Sequence, residues 1–332
     1  MMSLTSVSVI IPTRGYSENL RAAIASLTQT SVSEIIVVSR DATNLGSVCS
    51  DERVKLLVAP NAGLSEARNL GISRSSGDIV AFTDDDCTVP RNWLLHALET
   101  FRDSKVGVVG GPGVTDPGDS WRSKCSGAVL STRLGTSTSV YRYSAVSDHP
   151  KSAGETQLST CNLFFRKSVL EELGYFHTGL QTCEENELIE RIRSVGHLVL
   201  YVPTCFVYHH RRPLFVPFLR QIWNYAKGRA VFVLRWPKHL RPVHLVPSIL
   251  VLLTLTLPIL SVFSVRFTVA LAAILTFYLL TIAFAAVTST AKNRLKLRLS
   301  PLVFLGIVIM HYCYGFSFLV GLWNASRHRY LA

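Results

Sequence analysis

The sequence predicts an α/β fold: a mainly parallel sheet flanked by helices, followed by interfacial and transmembrane helices. Three observations carry this expectation. Short β-branched apolar runs alternate with helically spaced apolar residues through roughly the first 200 positions. Three carboxylates, Asp84-Asp85-Asp86, directly follow the apolar run Ile79-Val80-Ala81-Phe82. Three stretches of membrane length close the chain.

Val7-Ile11 and Glu34-Ser39 read as buried strands, and Leu20, Ile24 and Leu27 between them keep helical spacing behind a Ser17 cap, which makes a β-α-β unit. Val54-Val58, a helical Leu64-Ser73 and the strand Ile79-Thr83 repeat the pattern, so parallel strands with covering helices follow. Ligands of such sheets bind beyond the carboxyl ends of the strands. Pro12-Thr13-Arg14, Ser39-Arg40-Asp41 and Asp84-Asp85-Asp86 all fall there, so one polar crevice is expected. A helix from Pro90, with Leu94, Leu98 and Phe101 on one face, and a strand Val106-Val109 add core. From Gly110 to Ser159 the chain is rich in Gly, Ser and Thr without clear periodicity, as a mobile or substrate-covering region would be. Asn162-Phe165 and Leu198-Val202 resume strand character, with helices over Lys167-Leu173 and Glu184-Ser194 between them.

Carboxylates at the end of a buried strand repel one another and lose hydration unless a cation neutralises them, and hard divalent metals take oxygen ligands of this kind. Side chains at i and i+2 of an extended segment share a face, so Asp84 and Asp86 are expected to converge on one ion while Asp85 points elsewhere. A solvated acidic turn is the alternative. Glu184, Glu185 and Glu187 open a helix, where acids complement the dipole whether or not they do chemistry.

Composition sets the domain boundaries: 1–212 as the globular domain, 213–242 as a basic amphipathic juxtamembrane segment, 243–323 as three transmembrane helices and 324–332 as a tail. Val243-Val265, Phe267-Thr288 and Pro301-Trp323 each have about the 20 apolar residues that a span needs. Pro247 and Pro258 mark a kink or interruption in the first, and Arg266 alone separates the first two, so a tight hairpin that stops short of crossing is the alternative. The basic aromatic stretch Leu214-Leu234 suits a helix in the headgroup layer or one packed on the globular domain.

Cationic loops remain cytoplasmic as a rule. Arg211, Arg212, Arg220, Lys227, Arg229, Arg235, Lys238 and Arg241 precede the first span, and Lys292, Arg294, Lys296 and Arg298 separate the second from the third. Both sets put the N-terminal domain in the cytoplasm of a multi-pass protein of the cell membrane, whereas Arg327 and Arg329 weigh against the external C-terminus this implies. No signal peptide precedes the first strand, so export of the large domain is not expected. Seven cysteines (Cys49, Cys87, Cys125, Cys161, Cys183, Cys205, Cys313) include no C-x-x-C pair, which fits free thiols in a reducing compartment. Lysine and arginine number 34 against 22 acids, an excess of 12 that concentrates beside the apolar spans. Anionic lipid headgroups are its expected partner, and no recognition motif points to nucleic acid.

Taken in order, Val9-Ile10-Ile11-Pro12-Thr13, Asn61-Ala62-Gly63, Ala67-Arg68-Asn69-Leu70-Gly71, Gly77-Asp78-Ile79 through Asp86, Asn162-Leu163-Phe164-Phe165-Arg166 and Glu184-Glu185-Asn186-Glu187-Leu188 with Arg191 resemble the inverting family-2 glycosyltransferases. The resemblance covers about residues 5 to 212 and implies a GT-A-type fold, a nucleotide-sugar donor (UDP- or GDP-linked) and Mg2+ or Mn2+ as cofactor. It implies Asp86 as main metal ligand with Asp84 near the ribose or metal. Pro12, Thr13, Arg14, Asp41, Asn61, Arg68 and Asp85 would bind the nucleotide-sugar, although Ser39-Arg40 departs from the acidic pair usual in that place. The base that deprotonates the acceptor hydroxyl would be Glu185, with Glu184 as second choice, although the family carries aspartate at the Glu185 position. His209 or His210 would complete the metal shell or touch the diphosphate, unless the pair is only part of a basic juxtamembrane stretch. Asn162, Arg211 and Arg212 would meet acceptor or phosphate.

The Q-x-x-R-W sequence of processive members is missing at Gln221-Ile222-Trp223-Asn224-Tyr225. The expected activity is therefore transfer of one sugar to a polyprenyl-linked or other membrane-associated glycan acceptor. A processive polysaccharide synthase, or a catalytically silent membrane-anchored binder of nucleotide-sugars, is the alternative.

Overall fold

A computed structural model describes residues 5–48, 50–180 and 182–327; Cys49 and Arg329 lie outside the described residues. Two compact units divide the chain, the first running to Pro117 and resuming over Tyr141–His210, the second comprising Gly118–Val140 and the chain from Arg211 onward. The break before Arg211 lies two residues from the expected boundary, but the segment 118–140, expected with the globular domain, belongs to the second unit.

The first unit opens with strand β1 (Val7–Thr13), helix α1 (Glu18–Thr28) and strands β2 (Glu34–Ser39) and β3 (Val54–Val58). Ser17 caps α1 by accepting the Leu20 amide at 3.0 Å, and Leu20, Ala23, Ile24 and Leu27 form its buried face. There follow α2 (Leu64–Arg74), β4 (Ile79–Thr83), β5 (Cys87–Thr88), α3 (Trp93–Thr100), β6 (Val106–Gly110) and β7 (Gly113–Thr115). Helices α4 (Trp121–Leu130) and α5 (Arg133–Thr136) fall in the second unit, after which β8 (Lys151–Ser152), β9 (Asn162–Arg166), α6 (Lys167–Leu173), α7 (Glu184–Ser194), β10 (Leu198–Tyr201) and β11 (Val207–His209) complete the first.

The main sheet runs β3-β2-β1-β4-β9-β6-β10-β8. Strands β1 to β4 are mutually parallel, as are β6 and β10, so the sheet is mainly parallel. Between them β9 runs opposite to both neighbours, pairing Asn162 with Thr83 and Leu163 with Gly110. That reversal carries the start of β9 to the carboxyl ends of β4 and β6. A second sheet, β5-β11-β7, sets His209 opposite Cys87; two- and three-residue strands are too short for alternation to reveal them in a sequence. The turn after β6 leaves no room for a side chain, since a Cβ on Gly111 would lie 1.7 Å from the Cys205 carbonyl oxygen.

In the second unit, α4 is buried over Cys125–Leu130 on every side, which explains the missing periodicity of its sequence. Helices α8 (Val216–Arg235), α9 (Pro242–Ser261), α10 (Val265–Lys292) and α11 (Ser300–Arg327) complete the unit. Polar bonds tie the inserted segment to them: Ser289 Oγ donates to the Ala128 carbonyl at 2.7 Å, and Asn293 Nδ2 to Ser131 Oγ at 2.9 Å. Helix α8 lays its buried face, including Phe218, Ile222 and Ala226, against α11 within this unit, so its apolar stripe is taken by a neighbouring helix. Among the described residues, three helices are long and apolar enough to cross a membrane: Pro242–Ser261, Val265–Lys292 and Leu297–Ser326. Helix α9 continues through Pro247 and Pro258 rather than breaking. At Gly315 of α11 an added Cβ would lie 2.3 Å from the Pro247 carbonyl oxygen, and Ser248 Oγ donates to the Gly315 carbonyl at 3.0 Å, so glycine lets these two backbones meet.

Candidate active site

The carboxyl ends of β1, β2 and β4 collect most of the residues singled out from sequence. Thr13, at the end of β1, donates its hydroxyl to Asp85 at 2.6 Å. Asp84 and Asp86 instead belong to a cluster with Cys87 and His209 whose ligand atoms all lie within 4.8 Å of one another. His209 Nε2 stands 3.2 Å from Asp86 Oδ1, while the neighbouring His210 gives its amide to the Asp86 carbonyl at 3.0 Å. The three-stranded sheet is what brings β11, more than 120 residues downstream, back to the acidic turn.

Two carboxylates and an imidazole make a suitable donor set for a divalent ion, and the electrostatics fit one. Burial, the nearby Cys161 sulfur and the Asp86 charge push the Asp84 carboxyl up to about 7, against the opposing pull of Arg68 and His209. A cation among these groups would relieve that repulsion. Asp84, Asp86 and His209 would hold the metal, and the Cys87 thiol stands beside them.

Arg68 on α2 connects this cluster to the acidic helix start. Its guanidinium is 2% exposed, pairs with Glu184, donates to Thr160 Oγ1 at 2.7 Å and lies 4.0 Å from Asp84 Oδ1. Its Nε has no partner among the described residues. Cys183, in the left-handed region at φ 66°, precedes α7. Successive helical residues diverge by about 100°, so Glu184 and Glu185 reach different partners. Glu184 meets Arg68, and burial followed by the Glu185 charge raises its carboxyl pKa against the pull of that arginine. Glu185 Oε1 accepts from Arg142 Nη1 at 2.9 Å.

Arg142 went unnoticed in the sequence because it comes from the segment without periodicity. It is held in place by the Thr156 and Glu155 carbonyls and by Asn186 Oδ1, at 2.8, 3.0 and 2.9 Å. Thr160, Cys87 and Cys161 were likewise missed, since only the tertiary fold makes them neighbours of the acidic residues.

The remaining residues divide. Pro12 is buried, and Arg14, Asp41 and Asn61 are exposed beyond β1, β2 and β3. Asp41 accepts the amide and hydroxyl of Thr43 at 2.9 and 2.7 Å, and Arg40 Nε reaches the Ala62 carbonyl at 2.8 Å. The expectation for Asn162 needs correction. Its side chain is wholly buried, accepts from Trp93 Nε1 at 2.8 Å and donates to the Cys205 and Pro112 carbonyls at 2.7 and 3.4 Å, so it fastens β9 and has no donor left for an acceptor or phosphate. Arg211 and Arg212 lie in the second unit, where the Arg211 amide donates to Asp119 Oδ2 at 2.8 Å and the Arg212 carbonyl accepts from Ser126. Arg191 also serves the fold, since it pairs with Glu187 and clamps the carbonyls of Leu173, Gly174 and Tyr175.

The profile of glycosyl transferase family 2 matches residues 8–174, half of the chain. The chain belongs to this family. Glycosyltransferase AglE of Haloferax volcanii is 29% identical over 239 residues, 68% of this chain and 74% of that protein. A pre-mycofactocin glycosyltransferase of Mycobacterium tuberculosis is 27% identical over 250 residues, 71% of this chain but 49% of that protein. Among solved structures, the mannosyltransferase PcManGT of Pyrobaculum calidifontis, in complex with GDP-Man and Mn2+, superposes with a TM-score of 0.65 at 18% identity, covering 97% of this chain and 88% of the other. The likeness establishes a GT-A-like fold with three long apolar C-terminal helices. As a family-2 member the chain is a glycosyltransferase.

Proposed function

We propose that this glycosyltransferase moves one sugar from a UDP- or GDP-linked donor to a polyprenyl-linked or other membrane-associated glycan acceptor, with inversion at the anomeric carbon. The observation that carries this reading is the placement of Arg68 between Glu184 and Asp84, which joins an acidic helix start to a metal-competent aspartate pair. A single displacement needs the acceptor oxygen held in line with the anomeric carbon and a base within reach of the acceptor hydroxyl.

The acceptor oxygen forms its bond to the anomeric carbon on the face opposite the diphosphate, whose bond to that carbon breaks and whose oxygen keeps the electron pair. Glu185 Oε2 takes the hydroxyl proton, while Arg142 fixes the carboxylate through Oε1. A divalent ion, when bound, supplies positive charge against the departing diphosphate. A nitrogen donor from His209 suits Mn2+ better than Mg2+, which prefers an all-oxygen shell. Thr13, Asp41, Asn61 and Arg14, at the ends of β1 to β3, are proposed to line the nucleoside end of the donor.

The three apolar helices are proposed to cross the cell membrane, with the Lys292 to Arg298 loop and the catalytic unit on the cytoplasmic side. Basic residues on that side would meet anionic lipid headgroups. Membranes carrying the protein, supplied with a panel of labelled nucleotide-sugars, should yield label in the lipid extract from one donor. Label released only as free sugar, or a ladder of multiple additions, would contradict single transfer to a membrane acceptor.

A further inference from the structure

A cavity of about 420 Å3 in the second unit is lined by Trp121 and Lys124 of α4 and by Arg294, Leu295, Lys296, Arg298, Leu299 and Leu302 around the turn from α10 to α11. Its volume is that of a small-molecule site. Half of the lining residues are cationic, none is acidic, and the other half are leucines and a tryptophan. Such a lining fits an anionic headgroup attached to an alkyl chain and suits neither a neutral sugar nor a cation. None of the residues assigned to donor, metal or acceptor chemistry is among them.

The backbone adds a second observation. Helix α10 ends in a Schellman turn: the Arg294 amide donates to the Ala291 carbonyl at 3.0 Å and the Leu295 amide to the Thr290 carbonyl at 3.0 Å. The residue after the cap in this turn is left-handed and is usually glycine. Here it is Arg294, at φ 54°. A long cationic side chain is kept where glycine would be relaxed, and it lines the cavity.

We infer that this cavity binds the phosphate headgroup of an anionic membrane phospholipid, with Lys124, Arg294, Lys296 and Arg298 around the phosphate and Trp121, Leu295, Leu299 and Leu302 against the first part of its chains. The cavity sits at the turn joining two membrane-length helices, the level at which headgroups lie, and tryptophan is favoured there. A phosphorylated lipid carrier presents the same chemistry; the bilayer phospholipid is chosen because the lining holds no residue of the transfer site. The inference rests on the membrane placement proposed above and not on the transfer chemistry.

The test uses the full chain in phosphatidylcholine nanodiscs doped with increasing phosphatidylglycerol, with thermal unfolding as readout and donor turnover measured in the same samples. Phosphatidylglycerol should raise Tm saturably, and Lys124→Gln with Arg298→Gln should move the midpoint up about 30-fold, the loss of two headgroup-level cations. Arg235→Gln with Lys238→Gln, outside the cavity, should move the midpoint far less. Arg294→Gly guards against misfolding: without the lipid it should melt no lower than the parent, while its response to the lipid weakens. The lipid site is overturned by an equal response to phosphatidylcholine alone, by equal weakening in the outer pair, or by the same plateau with inorganic phosphate. Tighter binding of a polyprenyl phosphate than of phosphatidylglycerol would overturn the choice of occupant. Loss of the lipid response with turnover intact sinks this inference alone; a saturable response in a preparation without transfer supports it and counts only against the transfer reading.

Discussion

Arg68 and Glu184, 116 residues apart in sequence, form a buried ion pair at the junction of the acidic helix start and the aspartate turn. With exposures of 2% and 4%, neither charge has solvent to fall back on. On the proposed reading the pair couples stability to function: the group that would orient the carboxylates is also the one whose loss leaves them unbalanced.

Replacing Arg68 with methionine should destabilise the protein by about 3–5 kcal/mol, the cost of leaving a buried carboxylate uncompensated. Adding Glu184→Gln should recover most of that loss in thermal unfolding without restoring turnover. A fully active double variant would show that the pair serves packing alone.

Glu185→Gln should retain nucleotide-sugar binding and lose at least a hundredfold in kcat, the usual contribution of a positioned general base. Glu184→Gln should lose less kcat and more stability. Donor binding by calorimetry and single-turnover transfer separate the two. The reverse ordering would move the base to Glu184.

At the opposite end of β2, burial alone would raise the Glu34 carboxyl, but Lys55, the Ser8 hydroxyl and the amide and hydroxyl of Ser76 overcome it and hold the pKa at about 2. A depressed folded pKa stabilises the protein above the unfolded value of 4.5, and that contribution is lost as pH falls from 4.5 through about 2. The effect is at most about 3 kcal/mol, reduced by solvent screening at half-exposed Lys55. Comparing denaturation of the wild type and Glu34→Gln at pH 7 and pH 3 should show the difference between them shrinking at the lower pH.

Gly111→Ala should cost about 3 kcal/mol or more, because its Cβ would strike the Cys205 carbonyl, a backbone group that also accepts from Asn162. Reduced thermal stability with donor affinity intact in the folded fraction is expected.

Much of the fold was legible because its buried strands are apolar runs of fixed length: Glu34–Ser39, Val54–Val58 and Ile79–Thr83 have the bounds that their composition suggests. The acidic turn was legible because charge after such a run has few structural uses. What stayed hidden depended on tertiary contact. Helix α4 is buried all round and shows no stripe, the strands around His209 are too short to alternate, and Arg142 comes from an aperiodic segment. Asn162 misled for a related reason: a buried amide that fastens backbone carbonyls looks, in sequence, like one waiting for a ligand.

The most direct measurement is Mn2+ titration of the purified full-length protein with donor turnover followed in parallel, for the wild type, Asp86→Asn and His209→Ala. Saturable metal binding that parallels turnover, abolished by Asp86→Asn, weakened by His209→Ala and reversed by a chelator, is the predicted result. Turnover unaffected by chelator, or wild-type rates in Asp86→Asn, would contradict a metal-assisted transfer at this site.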